Sequence, residues 1–126
     1  MDKAMMASPS TLAFVGDAVF GLLVRTKLAE VERPIGQLHK MSVDYVNANA
    51  QAEGFEMIKD LLTEKEMSVF KRARNHKTLS SAKNASIVDY RRATGFEAVI
   101  GYLYLIGNMS RLNEILNLSI GEKDED

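Results

Sequence analysis

Two stretches of this chain are almost wholly apolar, run for roughly four helical turns each, and carry a single acid in the middle. From Thr11 to Val24 the only charged residue is Asp17, and from Ala93 to Ile106 the only one is Glu97. A helix that is apolar all round has to be covered all round, so both segments belong in the core of whatever forms. An isolated carboxylate buried there is costly unless a cation or several donors meet it. The local contexts match, Phe14-Val15-Gly16-Asp17-Ala18-Val19 beside Gly95-Phe96-Glu97-Ala98-Val99, with Gly21 four residues after Asp17 and Gly101 four after Glu97. A glycine one turn along the same face removes a side chain beside the acid. The pattern therefore predicts close approach of the two helices at Gly21 and Gly101, with the carboxylates brought together.

The rest of the chain also reads as helical. Ser8, Pro9, Ser10 and Thr11 offer caps, and Arg25 and Lys27 suit a helix C-terminus, which predicts a helix over about 11–30. Pro34 suits a first helical position. From there the apolar spacing continues to Leu62, with a break expected near Asn47 and Asn49, whose side chains compete with the backbone. Thr63 and Glu66 form a capping box opening a third helix in which Met67 and Phe70 face inward. Residues 76–86 have no period and read as an exposed loop. Ser86 caps a helix over 87–107, and Ser110 opens a last one to about Leu118. The fold class is all-α.

At 126 residues with 46% hydrophobic and 26% charged positions, the chain has the size of one domain, 1–126, with tails expected at 1–9 and 120–126. It has no cysteine and only two histidines, which leaves no disulfide framework, no thiolate nucleophile and no ordinary zinc site. The longest apolar stretch is broken by Gly16, Asp17 and Gly21, so no membrane partner is expected, and the protein reads as cytoplasmic.

The formal net charge of −1 hides a strong asymmetry. Residues 71–92 hold Lys71, Arg72, Arg74, Lys77, Lys83, Arg91 and Arg92 against Asp89 alone, an excess of +6, whereas 53–70 and 114–126 are acidic. Such a local excess suits a polyanion. Two hard oxygen ligands without His or Cys suit Mg²⁺ or Mn²⁺ with much of its water retained, an ion that can activate water and neutralise a phosphodiester. The plainer alternative is that Asp17 and Glu97 form structural ion pairs with Arg25, Arg72 or Arg91. Metal-binding acids beside a phosphate-binding surface point to chemistry on nucleic acid. A non-catalytic RNA-binding or ribosome-assembly module is the competing function.

LAFVGDAVF resembles the signature helix of the ribonuclease III family, and FEAVIGYLYL resembles its second acidic helix. LHK near 38, Ala-Gln-Ala at 50–52, KRARN at 71, AKN at 82 and YR at 90 resemble, in order and spacing, the small Mini-III subfamily, which consists of the catalytic domain alone. The resemblance covers about Leu12 to Leu118. It implies the ribonuclease III endonuclease-domain helical fold, a homodimer, and Mg²⁺-dependent cleavage of double-stranded RNA. Asp17 and Glu97 are then both the catalytic and the metal-binding residues. It further implies maturation of the large-subunit (23S) ribosomal RNA precursor, with a large-subunit ribosomal protein as a further candidate partner. Larger family members carry acids where this chain has Ala13 and Thr94, which implies one well-held metal per site. No double-stranded RNA-binding domain is expected, so RNA contacts fall to Arg72, Arg74, Asn75, Lys77, Lys83, Asn84 and Arg91. Ser80 and Ser81 are weaker candidates of the same kind. Phe14, Val15, Val19, Phe20, Leu22 and Leu23 present more apolar surface than one intramolecular contact needs, which favours a two-fold interface.

Overall fold

The computed structural model describes residues 7–76 and 86–121. Among these there are six α-helices and no strand: α1 Pro9–Leu28, α2 Ile35–Val43, α3 Ala48–Ile58, α4 Glu64–Asn75, α5 Ile87–Leu105 and α6 Met109–Ile120, with a short 3₁₀ turn at Lys59–Leu61.

Local capping chemistry sets the boundaries. Ser8 caps α1 by accepting from the Thr11 amide at 3.1 Å. The helix therefore starts earlier than the expected residue 11, with Pro9 in the first turn where its missing N–H is harmless. Pro34 is the N-cap of α2 rather than its first helical residue. The expected break falls at Asn47, whose Oδ1 accepts from the Ala50 amide at 2.8 Å and starts α3. Both halves of the Thr63–Glu66 capping box are present. Asn108 opens α6 instead of Ser110, its Oδ1 accepting from the Arg111 amide at 3.1 Å. Just before it, Gly107 turns the chain at φ +77°, a conformation glycine adopts without strain. Ile120, expected in a tail, ends α6 and is buried.

Helix α5 is central: α1, α4 and α3 pack on it, and α6 closes over α3. Phe96 and Ile100 at its middle are fully buried. The Phe20 ring stands edge-on to Phe96 at 5.4 Å, and Phe55 stacks on Phe70 at 3.8 Å, so large aromatic area is buried on both sides of α5. α4 is tied to α6 by Arg111, whose Nε and Nη2 each donate to the buried Glu66 carboxylate at 2.8 Å, a charge-assisted fork. No described helix is long and apolar enough to cross a membrane.

Candidate active site

Asp17 projects from α1 and Glu97 from α5, and the crossing of these two helices places the acids side by side within hydrogen-bonding reach. The crossing is made by glycines. A Cβ on Gly16 would overlap the carbonyl oxygen of Glu97, and one on Gly101 would overlap that of Leu12, so only hydrogen fits on either side. Gly101 acts as expected. Gly21 does not: a Cβ there would meet only the Arg25 Nη1 at 2.9 Å, the end of a flexible side chain, and the residue that works in its place is Gly16, directly before Asp17. The pairing partner had to face α5, and Gly21 lies more than a turn beyond the crossing.

The two acids differ in environment. Asp17 is exposed and Glu97 half-buried, against the expectation of two buried carboxylates. Burial, and then the adjoining Asp17 carboxylate, push Glu97 up to about 8, as desolvation and a like charge both must. A hydrogen bond that the Gln51 amide donates to Glu97 Oε2 at 3.2 Å partly offsets the rise. No cation acts on Glu97 among the described residues. The structural ion-pair alternative therefore does not describe Glu97. Two adjacent carboxylates, one of them raised first by burial and then by its neighbour, form a donor set that fits a hard divalent cation, since such an ion would stabilise the charged form that burial and the like charge both disfavour. No group of three or more His, Cys, Asp or Glu gathers among the described residues, so water and substrate oxygens would complete the coordination.

The pair stands in a cleft of about 420 Å³ bounded by the start of α1, the start of α3, the end of α4 and the first turns of α5. Gln51, Asn47, His76, Tyr90 and Thr94 line it with the acids. Ala13 and Thr94 occupy it without adding charge, and the Thr94 hydroxyl is engaged in donating to the Tyr90 carbonyl at 3.0 Å.

Of the residues expected to contact RNA, Arg91 is exposed and lines this cleft. Arg72 and Asn75 line a separate groove along α4. The Arg72 guanidinium also donates to the Ala7 carbonyl at 2.9 Å. Arg74 donates to Asn75 Oδ1 at 3.0 Å while lying 5.6 Å from the Phe70 ring centroid, close enough for a cation–π attraction. Lys77, Lys83 and Asn84, with Ser80 and Ser81, lie outside the described residues. Sequence reasoning missed Asn47, His76 and above all Gln51 as members of the cleft. One signal was present: Gln51 shares a helical stripe with Phe55 and Ile58, and a polar side chain on a buried stripe needs a polar partner.

The sequence pattern of the family described as Ribonuclease III domain matches residues 10–108. A Mini-ribonuclease 3 of Thermoanaerobacter sp. (strain X514) is 50% identical over 120 residues, which cover 94% of this chain and 84% of that protein. One of Clostridium tetani is 47% identical over 120 residues, covering 94% and 80% respectively. A crystal structure of a protein from Fusobacterium nucleatum superposes with a TM-score of 0.82 at 33% identity, covering 90% of this chain and 91% of that one.

Proposed function

Because this chain belongs to the ribonuclease III family and is an endoribonuclease of that kind, we propose that it cleaves double-stranded RNA with Mg²⁺, held by Asp17 and Glu97, and matures the large-subunit (23S) ribosomal RNA precursor. The observation that carries this reading is the pairing of the two carboxylates in one open cleft, with Glu97 raised to about 8 and no cation acting on it among the described residues.

When bound, Mg²⁺ would activate water and offset charge on the scissile phosphodiester, with Mn²⁺ as a substitute. Asp17, being exposed, would present its carboxylate to solvent and substrate; Glu97, less exposed and accepting a hydrogen bond from Gln51, lies deeper in the site. Arg91 at the cleft wall would hold a phosphate of the strand being cut, and the basic segment on either side of 76–86 would supply further phosphate contacts. Hydrolysis leaves a 5′-phosphate and a 3′-hydroxyl.

A homodimer serves this chemistry, since two sites related by a two-fold axis meet opposite strands of one duplex. Phe14 is 80% exposed and Leu22 62%. They lie two turns apart along α1, an apolar stripe suited to a second copy. The reading places the enzyme in the cytoplasm, as one catalytic domain over 1–126, with a large-subunit ribosomal protein as a candidate assistant.

The test is to incubate the protein with duplex and single-stranded RNA, with Mg²⁺ or EDTA, and map the ends. Duplex-selective, EDTA-sensitive cuts that disappear in Asp17→Asn and Glu97→Gln are expected. Full activity in either variant, or in EDTA, would overturn the assignment.

A further inference from the structure

Gln51 is 5% exposed, sits on α3, and spends its side-chain amide on Glu97 Oε2 across the interface between α3 and α5. A buried amide has two N–H donors and one carbonyl acceptor to satisfy, which makes it a demanding residue to place in a core. An apolar side chain of the same volume would pack on the Phe55 and Ile58 stripe without that demand. The carboxylate it reaches belongs to the paired acids.

The chemistry of the donor explains the choice. A cation at this position would neutralise Glu97 and compete with any ion for it. A carboxylate would add a third repelling charge. A neutral amide can take one oxygen of Glu97 and fix the rotation of the carboxyl group without discharging it. α3 is itself held in register by Asn47, which caps its first turn and lines the same cleft.

We propose that Gln51 is a positioning residue that orients the Glu97 carboxylate for a divalent cation shared with Asp17. The proposal rests on the reading of Asp17 and Glu97 as the ion-binding pair. It does not make Gln51 a ligand: its role is exerted through Glu97.

The measurement is Mn²⁺ binding to the whole protein in the absence of RNA, followed by electron paramagnetic resonance of the free ion, for wild type, Asp17→Asn and Gln51→Met. Methionine keeps the length and volume of glutamine and removes the donor. Wild type should bind, Asp17→Asn should lose most of the binding, and Gln51→Met should bind about ten- to a hundredfold more weakly. Duplex RNA affinity measured in EDTA should stay within about twofold, because Gln51 contacts no phosphate in this reading. A merely structural glutamine would lower the melting temperature but leave the Mn²⁺ affinity of the folded protein unchanged, and that result overturns the proposal. If Asp17→Asn binds Mn²⁺ as wild type does, the ion-binding pair itself is wrong and the proposal falls with it. Should Gln51→Met fail to fold, the side-chain amide signals of Gln51 in the wild-type protein decide the matter: they should shift as Mg²⁺ is added, and unmoved signals at saturating Mg²⁺ overturn it.

Discussion

Gly16 of α1 and Gly101 of α5 stand backbone to backbone: a Cβ on either would come to 2.9 Å from the amide nitrogen of the other and into a carbonyl oxygen of the facing helix. Asp17 follows the first glycine directly and Glu97 precedes the second by one turn, so the closest approach of the two helices also sets the spacing of the acids.

Gly16→Ala should therefore be destabilising although alanine is the better helix former. The propensity gain is about 1 kcal/mol, whereas overpacking against a backbone carbonyl that cannot rotate away costs about 3 kcal/mol or more. A net loss of about 2 kcal/mol should lower the melting temperature by roughly 8 °C, with cleavage falling as the acids are forced apart. Gly21→Ala, where only the mobile end of Arg25 is in the way, should be neutral or slightly stabilising. Equal effects at the two positions would refute the assignment of the crossing.

Stability without metal should carry the signature of Glu97. Its folded value of about 8 lies above the ordinary 4.5, so the folded protein keeps a proton that the unfolded chain has released. The associated stabilisation is complete below 4.5 and is lost as pH rises through about 8. In EDTA, the melting temperature of wild type relative to Glu97→Gln should fall between about pH 5 and pH 8. Mg²⁺ added at pH 8 should recover it, because an ion that binds only the folded state stabilises that state. A difference that is flat with pH would mean that neither burial nor Asp17 raises Glu97 in the folded protein.

Arg111→Met should cost about 3–5 kcal/mol, the penalty of a buried charge left without its partner. The Glu66 carboxylate, 3% exposed, would lose its guanidinium. Burial alone would raise Glu66, but the bonds from Arg111 and Thr63 outweigh it and hold the carboxyl below its ordinary value. The penalty should be smaller in acid, where an unpaired Glu66 can take up a proton. Cleavage per folded molecule should be unchanged, which separates this network from the active site.

Phe14 and Phe20 lie on different faces of the same helix, about 120° apart. Phe20 is 2% exposed and packs against Phe96, so Phe20→Glu should unfold the domain. Phe14→Glu should leave a folded protein whose sedimenting mass drops from twice 14.0 kDa to that of one chain. A Phe14→Glu protein that remains dimeric would move the interface elsewhere.

Replacing Lys77 and Lys83 together by Ala should weaken duplex binding about equally for all sequences, and flatten the dependence of log K on log salt by about one to two units. The cleavage rate at saturating RNA should stay within a few-fold of wild type. Unchanged affinity and salt slope would assign the RNA-binding surface to other residues.

The helical character of the chain, the caps at Ser86 and Thr63, the break at Asn47 and the two candidate acids were legible in the sequence, because each depends on residues within one or two turns. So was Gly101. Which glycine on α1 meets it was not legible: Gly16 and Gly21 both flank Asp17, and only the crossing of α1 over α5 selects between them. The tertiary structure also decided that Asp17 is open while Glu97 is half-covered, because α3, distant in sequence from both acids, packs on α5. Gln51 shows the same division. Its polarity on an apolar stripe was written in the sequence, but its partner lies 46 residues away, and only the packing of α3 against α5 brings its amide to Glu97.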